Sequence, residues 1–176
     1  MQDSSAVQQL RRLLVSVPDF PGPGILFRDL APVFADGGAF RAIVDELVER
    51  YEGGFDAVAG VEARGFVLAA AAAYAAGVGV LVVRKAGKLP GEVLSESYDL
   101  EYGRATLELE PRRLPDASRV LVLDDVLATG GTLGASARLI ERAGYTVAGF
   151  GVLLELEGLG GRERLSGYRT QSLLTL

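Results

Sequence analysis

Val120-Leu121-Val122-Leu123-Asp124-Asp125-Val126-Leu127-Ala128-Thr129-Gly130-Gly131-Thr132-Leu133 is the stretch on which the reading of this chain turns. Four aliphatic residues in a row predict a strand buried on both faces. Two carboxylates stand at its C-terminal end. A turn of small residues, Ala128 to Thr132, then opens a helix expected over Thr132–Ala143 and closed by Gly144. In an open α/β sheet this strand-to-helix turn is where ligands bind. Small residues let backbone N–H groups wrap a phosphate, and the helix N-terminus adds partial positive charge. Thr129 and Thr132 can add hydroxyl donors. No Lys follows the glycines, so this is not a Walker A loop, and Gly130-Gly131-Thr132-Leu133-Gly134 does not spell GxGxxG. Carboxylates repel phosphate, so Asp124 and Asp125 must address another part of the same ligand. Vicinal sugar hydroxyls would suit them, directly or beside Mg²⁺. The plain alternative is an acidic strand end followed by a Gly-capped helix.

Working outward, strands and helices alternate. Asp56–Gly60 reads as a short strand, Arg64–Ala76 as a helix, Gly79–Val83 as a strand and Val147–Leu154 as a further apolar strand. Phe40, Ile43, Val44, Leu47, Val48 and Tyr51 form the stripe of an amphipathic helix ended by Gly53-Gly54. Residues 3–17 predict a helix with Val7, Leu10, Leu14 and Val17 on one face. Pro18 to Gly24 is too broken for helix or central strand, and Ile25 to Asp29 follows it. Residues 84–115 are polar, with an edge strand or hairpin arm at Ala105–Leu109. They predict an excursion from the core that could serve as a flap. The fold class is α/β, doubly wound: a mainly parallel sheet with helices on both faces.

The 176 residues suit one domain, and 49% hydrophobic content with a mean hydropathy of +0.26 is enough for a substantial core. A net charge of −5 argues against nucleic acid or an anionic membrane as partner. With no Cys there is no disulfide framework or thiolate nucleophile, and with no His there is no imidazole acid or base. Chemistry must run on carboxylates, Arg and Lys, backbone dipoles or a metal. The N-terminus lacks the order of a signal peptide. Gly77 and Gly79 break the uncharged run from Phe66 to Val83, which is better read as helix then strand than as a membrane span. A cytoplasmic chain is expected.

The Leu123-to-Thr132 run resembles the phosphoribosyl-pyrophosphate (PRPP) motif of the type I phosphoribosyltransferases. Further blocks resemble the adenine phosphoribosyltransferases among them: Asp19-Phe20-Pro21 through Gly24-Ile25-Leu26-Phe27-Arg28-Asp29, Glu62-Ala63-Arg64-Gly65-Phe66, Arg84-Lys85-Ala86-Gly87-Lys88-Leu89-Pro90, and Ser97-Tyr98-Asp99-Leu100-Glu101-Tyr102-Gly103. They stand in that family's order, from about residue 17 onward. The resemblance implies transfer of a 5-phosphoribosyl group from PRPP to adenine, giving AMP and pyrophosphate with Mg²⁺ carried mainly by PRPP, in a homodimer. It implies that Ala128, Thr129, Gly130, Gly131 and Thr132 hold the 5′-phosphate and that Asp124 and Asp125 engage the ribose hydroxyls. Arg64, Arg84, Lys85 and Lys88 would face the pyrophosphate. Leu26, Phe27 and Arg28 would line the base, with Leu159 closing the other side. Residues 1–35 would form a base-binding hood, and Glu101 and Tyr102 would lie on the 84–115 flap, Glu101 as a candidate for proton transfer.

Some of these residues carry an argument of their own. Lys85 and Lys88 are the only lysines of the chain, and composition bias explains their scarcity but not their clustering. Arg64 at a helix start opposes the helix dipole and so invites a functional explanation. Phe27 after Ile25-Leu26 would otherwise be plain core, and Glu101 a solvated loop residue. Glu62 could partner Arg64 or do nothing. Two other functions remain open: a 6-oxopurine phosphoribosyltransferase, which would match only around the PRPP motif, and a PRPP-sensing regulator, for which the chain has neither a helix-turn-helix nor a basic face.

Overall fold

Burial is continuous where the aliphatic runs predict it: β3 (Ala57–Val61) is buried throughout, and β7 (Arg119–Leu127) is buried from Val120 to Leu123. The computed structural model describes residues 3–99 and 103–176. Its main sheet has seven strands in the order β5-β6-β4-β3-β7-β8-β9. Here β4 is Gly79–Lys85, β5 Leu94–Asp99, β6 Arg104–Leu109, β8 Thr146–Glu155 and β9 Thr170–Thr175. The five strands from β4 to β9 along that order are parallel, and the β5–β6 hairpin is added antiparallel at one edge. Helix α4 (Arg64–Ala76) connects β3 to β4, and α5 (Gly131–Arg142) connects β7 to β8. They cover opposite faces. Leu68, Ala69 and Ala72 of α4 join the cluster that also contains Ile43 and Leu47 of α3 (Gly37–Glu49). Leu133, Leu139 and Ile140 of α5 join the other cluster, with Val120 and Val122. The strand order reverses between β3 and β7, a switch point where a crevice must open beyond the strand ends.

Two close approaches set that crevice. A Cβ on Gly60 would stand 2.6 Å from the Gly65 carbonyl oxygen, and one on Gly65 would stand 2.7 Å from the Leu123 carbonyl oxygen. Glycine at both positions lets the first turn of α4 lie directly on β3 and β7, which brings Arg64 to the carboxylates.

The N-terminal helix α1 (Ser5–Leu13) stops short of the expected residue 17. Leu14 turns extended, and Val15-Ser16-Val17 alternates β-branched residues, so β1 (Val15–Pro18) pairs antiparallel with β2 (Leu26–Asp29) in a separate two-stranded sheet. The 84–115 segment is not simply an excursion. Arg84 pairs with Glu108 and Lys85 with Leu107, while Leu107 and Leu109 are fully buried, so β6 extends the main sheet. The carboxylates do not end their strand either. β7 leaves β3 at Leu123 but stays paired with β8 to Leu127. Asp124 and Asp125 therefore lie where one neighbour has stopped and the other continues. The sequence carries no clear signal for five elements: β2, α2 (Ala31–Ala35), β5, α6 (Gly161–Arg164) and β9. No helix among the described residues is long and apolar enough to cross a membrane.

Candidate active site

A cavity of about 450 Å³ opens at the C-terminal edge of β3, β4 and β7, with Arg64, Lys85, Asp124, Asp125, Tyr98 and Thr132 among its walls. A smaller recess of about 70 Å³ adjoins it, lined by Val126 to Leu133. The recess is the turn of small residues. Gly130, at φ 74°, caps α5 with no side-chain hydrogen bond, so the first-turn N–H groups of the helix are left for an anion. From Ala128 to Thr132 the residues expected to hold a phosphate form one continuous concave surface.

Asp125 is buried at 6% exposure, and Arg64 Nε stands 2.6 Å from its Oδ2. The contact is an ion pair without the alignment of a hydrogen bond, which leaves Asp125 Oδ2 buried with no hydrogen-bond donor. The pair accounts for a cation at the start of α4: the neighbouring carboxylate offsets the unfavourable dipole. Asp124 Oδ1 accepts the Asp125 N–H at 2.9 Å. Burial, and next the charge of Asp125, push the Asp124 carboxyl well above the usual carboxylate range.

That shift has a sign. A folded-state carboxyl with a raised pKa keeps its proton to higher pH than in the unfolded chain, so its contribution to stability falls as pH rises from the ordinary carboxylate range through the folded value. Asp124→Asn removes this loss. The ligand-free variant should melt higher than the unaltered protein at pH 8, with the gap closing toward pH 4. Melting curves that stay parallel across that range would contradict it.

Glu62 does not partner Arg64. Its Oε1 accepts from Lys88 Nζ at 2.5 Å, and its Oε2 accepts the Lys85 N–H at 2.9 Å and lies 3.5 Å from Arg84 Nε. The Lys88 hydrogen bond, reinforced by the Lys85 N–H, holds the Glu62 carboxyl down at about 2. Arg84 Nε is itself buried without a hydrogen bond. Glu62 thus gathers the basic cluster at the end of β4, a role its isolated position in sequence could not reveal. The Lys85 side chain is exposed toward the cavity. Lys85→Ala should raise KM for a pyrophosphate-bearing substrate at least about tenfold, leaving KM for the second substrate within about twofold. Equal weakening of both would mean lost structure instead.

Phe27 on β2 meets Phe20 edge to face at 5.1 Å, and the Arg64 guanidinium carbon lies 6.0 Å from its ring centre. The β1–β2 hairpin therefore reaches the same crevice as the carboxylates. Leu26 is half exposed beside it, and Arg28 Nη1 donates to Ser16 Oγ at 2.5 Å. Leu159, also half exposed, lies in the turn that leaves β8 at this edge. Glu101 and Tyr102 lie outside the described residues.

Two residues that were not singled out contribute. Tyr98 on β5 reaches across to α5, where its Oη accepts from Thr132 Oγ1 at 3.2 Å. Gly161, the first residue of α6, packs directly under the Ala128 carbonyl. The Gly160-Gly161 pair was the signal for the second, although neither glycine by itself points to the 128–132 turn.

Residues 36–172 match the family described as the phosphoribosyl transferase domain. The chain is 68% identical over 176 residues to the adenine phosphoribosyltransferase of Clavibacter michiganensis subsp. michiganensis, covering all of both chains. A solved adenine phosphoribosyltransferase from Thermoanaerobacter pseudethanolicus superposes with a TM-score of 0.92 at 44% identity, covering 97% of this chain and 99% of that one. The Saccharomyces cerevisiae enzyme, solved with an imino-altritol bisphosphate and adenine, gives 0.91 at 38% identity, with coverage of 97% and 99%.

Proposed function

The chain belongs to the phosphoribosyltransferase family and, within it, to the adenine phosphoribosyltransferases, and from that premise we propose that the crevice transfers a 5-phosphoribosyl group from PRPP to adenine. The observation that carries the reading is the uncapped, glycine-opened start of α5 lying beside two carboxylates and a basic cluster. Each part answers one part of PRPP. The 128–132 recess takes the 5′-phosphate, Asp124 and Asp125 take the ribose hydroxyls, and Arg64, Arg84, Lys85 and Lys88 face the pyrophosphate.

In the reaction, the bond from the anomeric carbon to the pyrophosphate oxygen breaks with its electron pair leaving on pyrophosphate. A lone pair on a ring nitrogen of adenine forms the new bond, and the N–H proton that the ring loses is taken up overall by the released pyrophosphate. Positive charge on the ribose grows between the two steps. The carboxylates stabilise it while the cations stabilise the leaving group, so no covalent nucleophile is needed. Among the described residues no three carboxylate, His or Cys side chains converge on a cage for a metal. Asp125 Oδ2 is a buried hard oxygen with no hydrogen-bond donor, of the kind Mg²⁺ takes alongside substrate phosphates, but Arg64 Nε stands 2.6 Å from it and would have to yield it to the ion. Mg²⁺ brought by PRPP would add charge neutralisation at the leaving group.

The β1–β2 hairpin of the N-terminal segment forms the hood over the base, while α1 packs into the main core. β2 has a strand partner on one side only, so its outer main-chain groups around Leu26 and Arg28 can hydrogen-bond adenine against the Phe27 ring, with Leu159 opposite. Tyr98 of β5 and Ala105 and Leu107 of β6 wall the other side. Two copies associate through the outer face of α4, where Val67 and the 91%-exposed Tyr74 project beside a cavity of about 460 Å³ lined by Phe40, Val44 and Ala71. A knob and a hole on one face satisfy a two-fold contact. Sedimentation should give a dimer that Tyr74→Asp dissociates; an unaltered monomer would remove this part. PRPP and AMP carry several negative charges and do not cross membranes unaided, so a cytoplasmic location belongs to the same reading.

The activity is tested by product analysis with PRPP, Mg²⁺ and adenine, with hypoxanthine and guanine in parallel. AMP and pyrophosphate should form with adenine, and kcat/KM for the oxopurines should be roughly 10⁴-fold lower, because a site built for a donor at C6 leaves groups unpaired with an acceptor there. Preferential turnover of an oxopurine would overturn the reading of the base pocket.

A further inference from the structure

We propose that the Tyr98 hydroxyl positions the Thr132 hydroxyl toward the 5′-phosphate, so that filling the phosphate recess locks the β5–β6 hairpin onto α5. The proposal rests on the reading of residues 128–132 as the phosphate site. Tyr98 crosses from the edge of the sheet to the first turn of α5. A Cβ on Gly131 would stand 3.1 Å from Tyr98 Cδ2 and 3.3 Å from the Asp99 carbonyl oxygen, so the end of β5 lies on the helix start. Further along, Glu96 ties the same strand to α5 through Arg138 and Arg142, at 2.6 and 2.9 Å. Tyr98 makes the polar contact nearest the recess.

The hydroxyl of Thr132 has one proton and two acceptor positions. Without ligand it donates to Tyr98 Oη at 3.2 Å. An ionised phosphate oxygen only accepts, so a phosphate in the recess takes the Thr132 proton. Thr132 Oγ1 can then keep Tyr98 only as a donor to itself, and the phenol has a proton to supply. The pair reverses, from Thr132 donating to Tyr98 into Tyr98 donating to Thr132 and Thr132 donating to phosphate. A hydroxyl that donates to an anion is polarised into a better acceptor, so the second bond strengthens the first. Phosphate binding and hairpin docking must then favour each other by the same factor.

Calorimetric titration with ribose 5-phosphate tests this in the unaltered protein, Tyr98→Phe, Thr132→Val and the double variant, with Thr132→Ser as the conservative control. Tyr98→Phe should weaken binding about 3–10-fold and Thr132→Val about tenfold. The double variant should bind no more weakly than Thr132→Val alone, and Thr132→Ser should stay within about twofold of the unaltered protein. Amide exchange in the unaltered protein adds a readout that needs no variant: ribose 5-phosphate should slow exchange in β5 and leave β9 unchanged. A silent Tyr98→Phe, losses that multiply in the double variant, or β5 exchange indifferent to the ligand would each overturn the proposal. Failure of the unaltered protein to bind ribose 5-phosphate would instead overturn the phosphate reading, and this proposal with it.

Discussion

Asp125→Asn should lower kcat by about 10²-fold or more while the protein remains folded, because it removes charge from a site preorganised for a developing cation. The substitution is nearly isosteric, and the position is 6% exposed, so packing is kept. What changes is electrostatic. Arg64, with a side chain 43% exposed, loses its carboxylate partner but keeps contact with water, and the cost of that is about 1 kcal/mol or less. Asp124 loses the neighbouring charge that helps to hold its carboxyl above the usual range, which offsets part of the cost. A melting temperature within a few degrees of the unaltered protein, together with a collapsed kcat, is the expected pair of results. Near-normal turnover would take Asp125 out of the mechanism.

The second large effect is expected from a residue outside the sequence motif. A Cβ on Gly161 would overlap the Ala128 carbonyl oxygen and stand 2.8 Å from Leu127 Cδ1. Both residues line the 126–133 recess, and the carbonyl is backbone with no rotamer to yield. Gly161→Ala should therefore push α6 and the 127–130 loop apart. Overpacking of this kind costs about 1–3 kcal/mol, and in a chain of this length each kcal/mol moves the melting temperature by about 2–4 °C. The displaced recess should raise KM for PRPP more than about tenfold, since misplacement of a positioning group by about 1 Å can cost on the order of 10² in rate. Gly167→Ala is the control: a Cβ there meets nothing within 4 Å, so its stability should change by less than about 0.5 kcal/mol. Equal behaviour of the two variants would mean that α6 does not support the recess.

Much of this architecture was legible in the residues because the central strands are buried on both faces and the helices beside them are bounded by glycines. β3, α4, β7 and α5 are read from aliphatic runs and glycine punctuation, and α4 spans the expected residues Arg64 to Ala76. Elements whose sequence is shaped by one neighbour alone were harder. α1 carries an apolar repeat that continues past its end into β1, where alternation takes over from helical spacing. β9 (Thr170-Gln171-Ser172-Leu173-Leu174-Thr175) opens on polar residues, yet it is completed as a strand by its ladder to β8. β5 looks like a polar loop because its exposed side alternates with residues that face α5.

The members of the candidate site were more legible than their pairing: Arg64, Lys85, Asp124, Asp125 and Thr132, all picked out in the sequence, line one cavity. Adjacent carboxylates before a glycine turn point to a sugar phosphate, and the two lysines announce an anion. That Arg64 pairs with Asp125 depends on Gly65 letting α4 rest on β7, a contact between residues far apart in the chain. That Glu62 collects Lys88 and the Lys85 N–H depends on β3 and β4 ending side by side. Neither pairing has a local sequence signature.

A crystal structure of the protein with AMP tests the assignment of the crevice most directly. The 5′-phosphate should lie in the 128–132 recess within hydrogen-bond distance of the α5 first-turn N–H groups. The ribose hydroxyls should approach Asp124 and Asp125, and the adenine should stack on Phe27. A nucleotide seated elsewhere, or one whose phosphate lies among Arg84, Lys85 and Lys88 with the recess empty, would contradict the account.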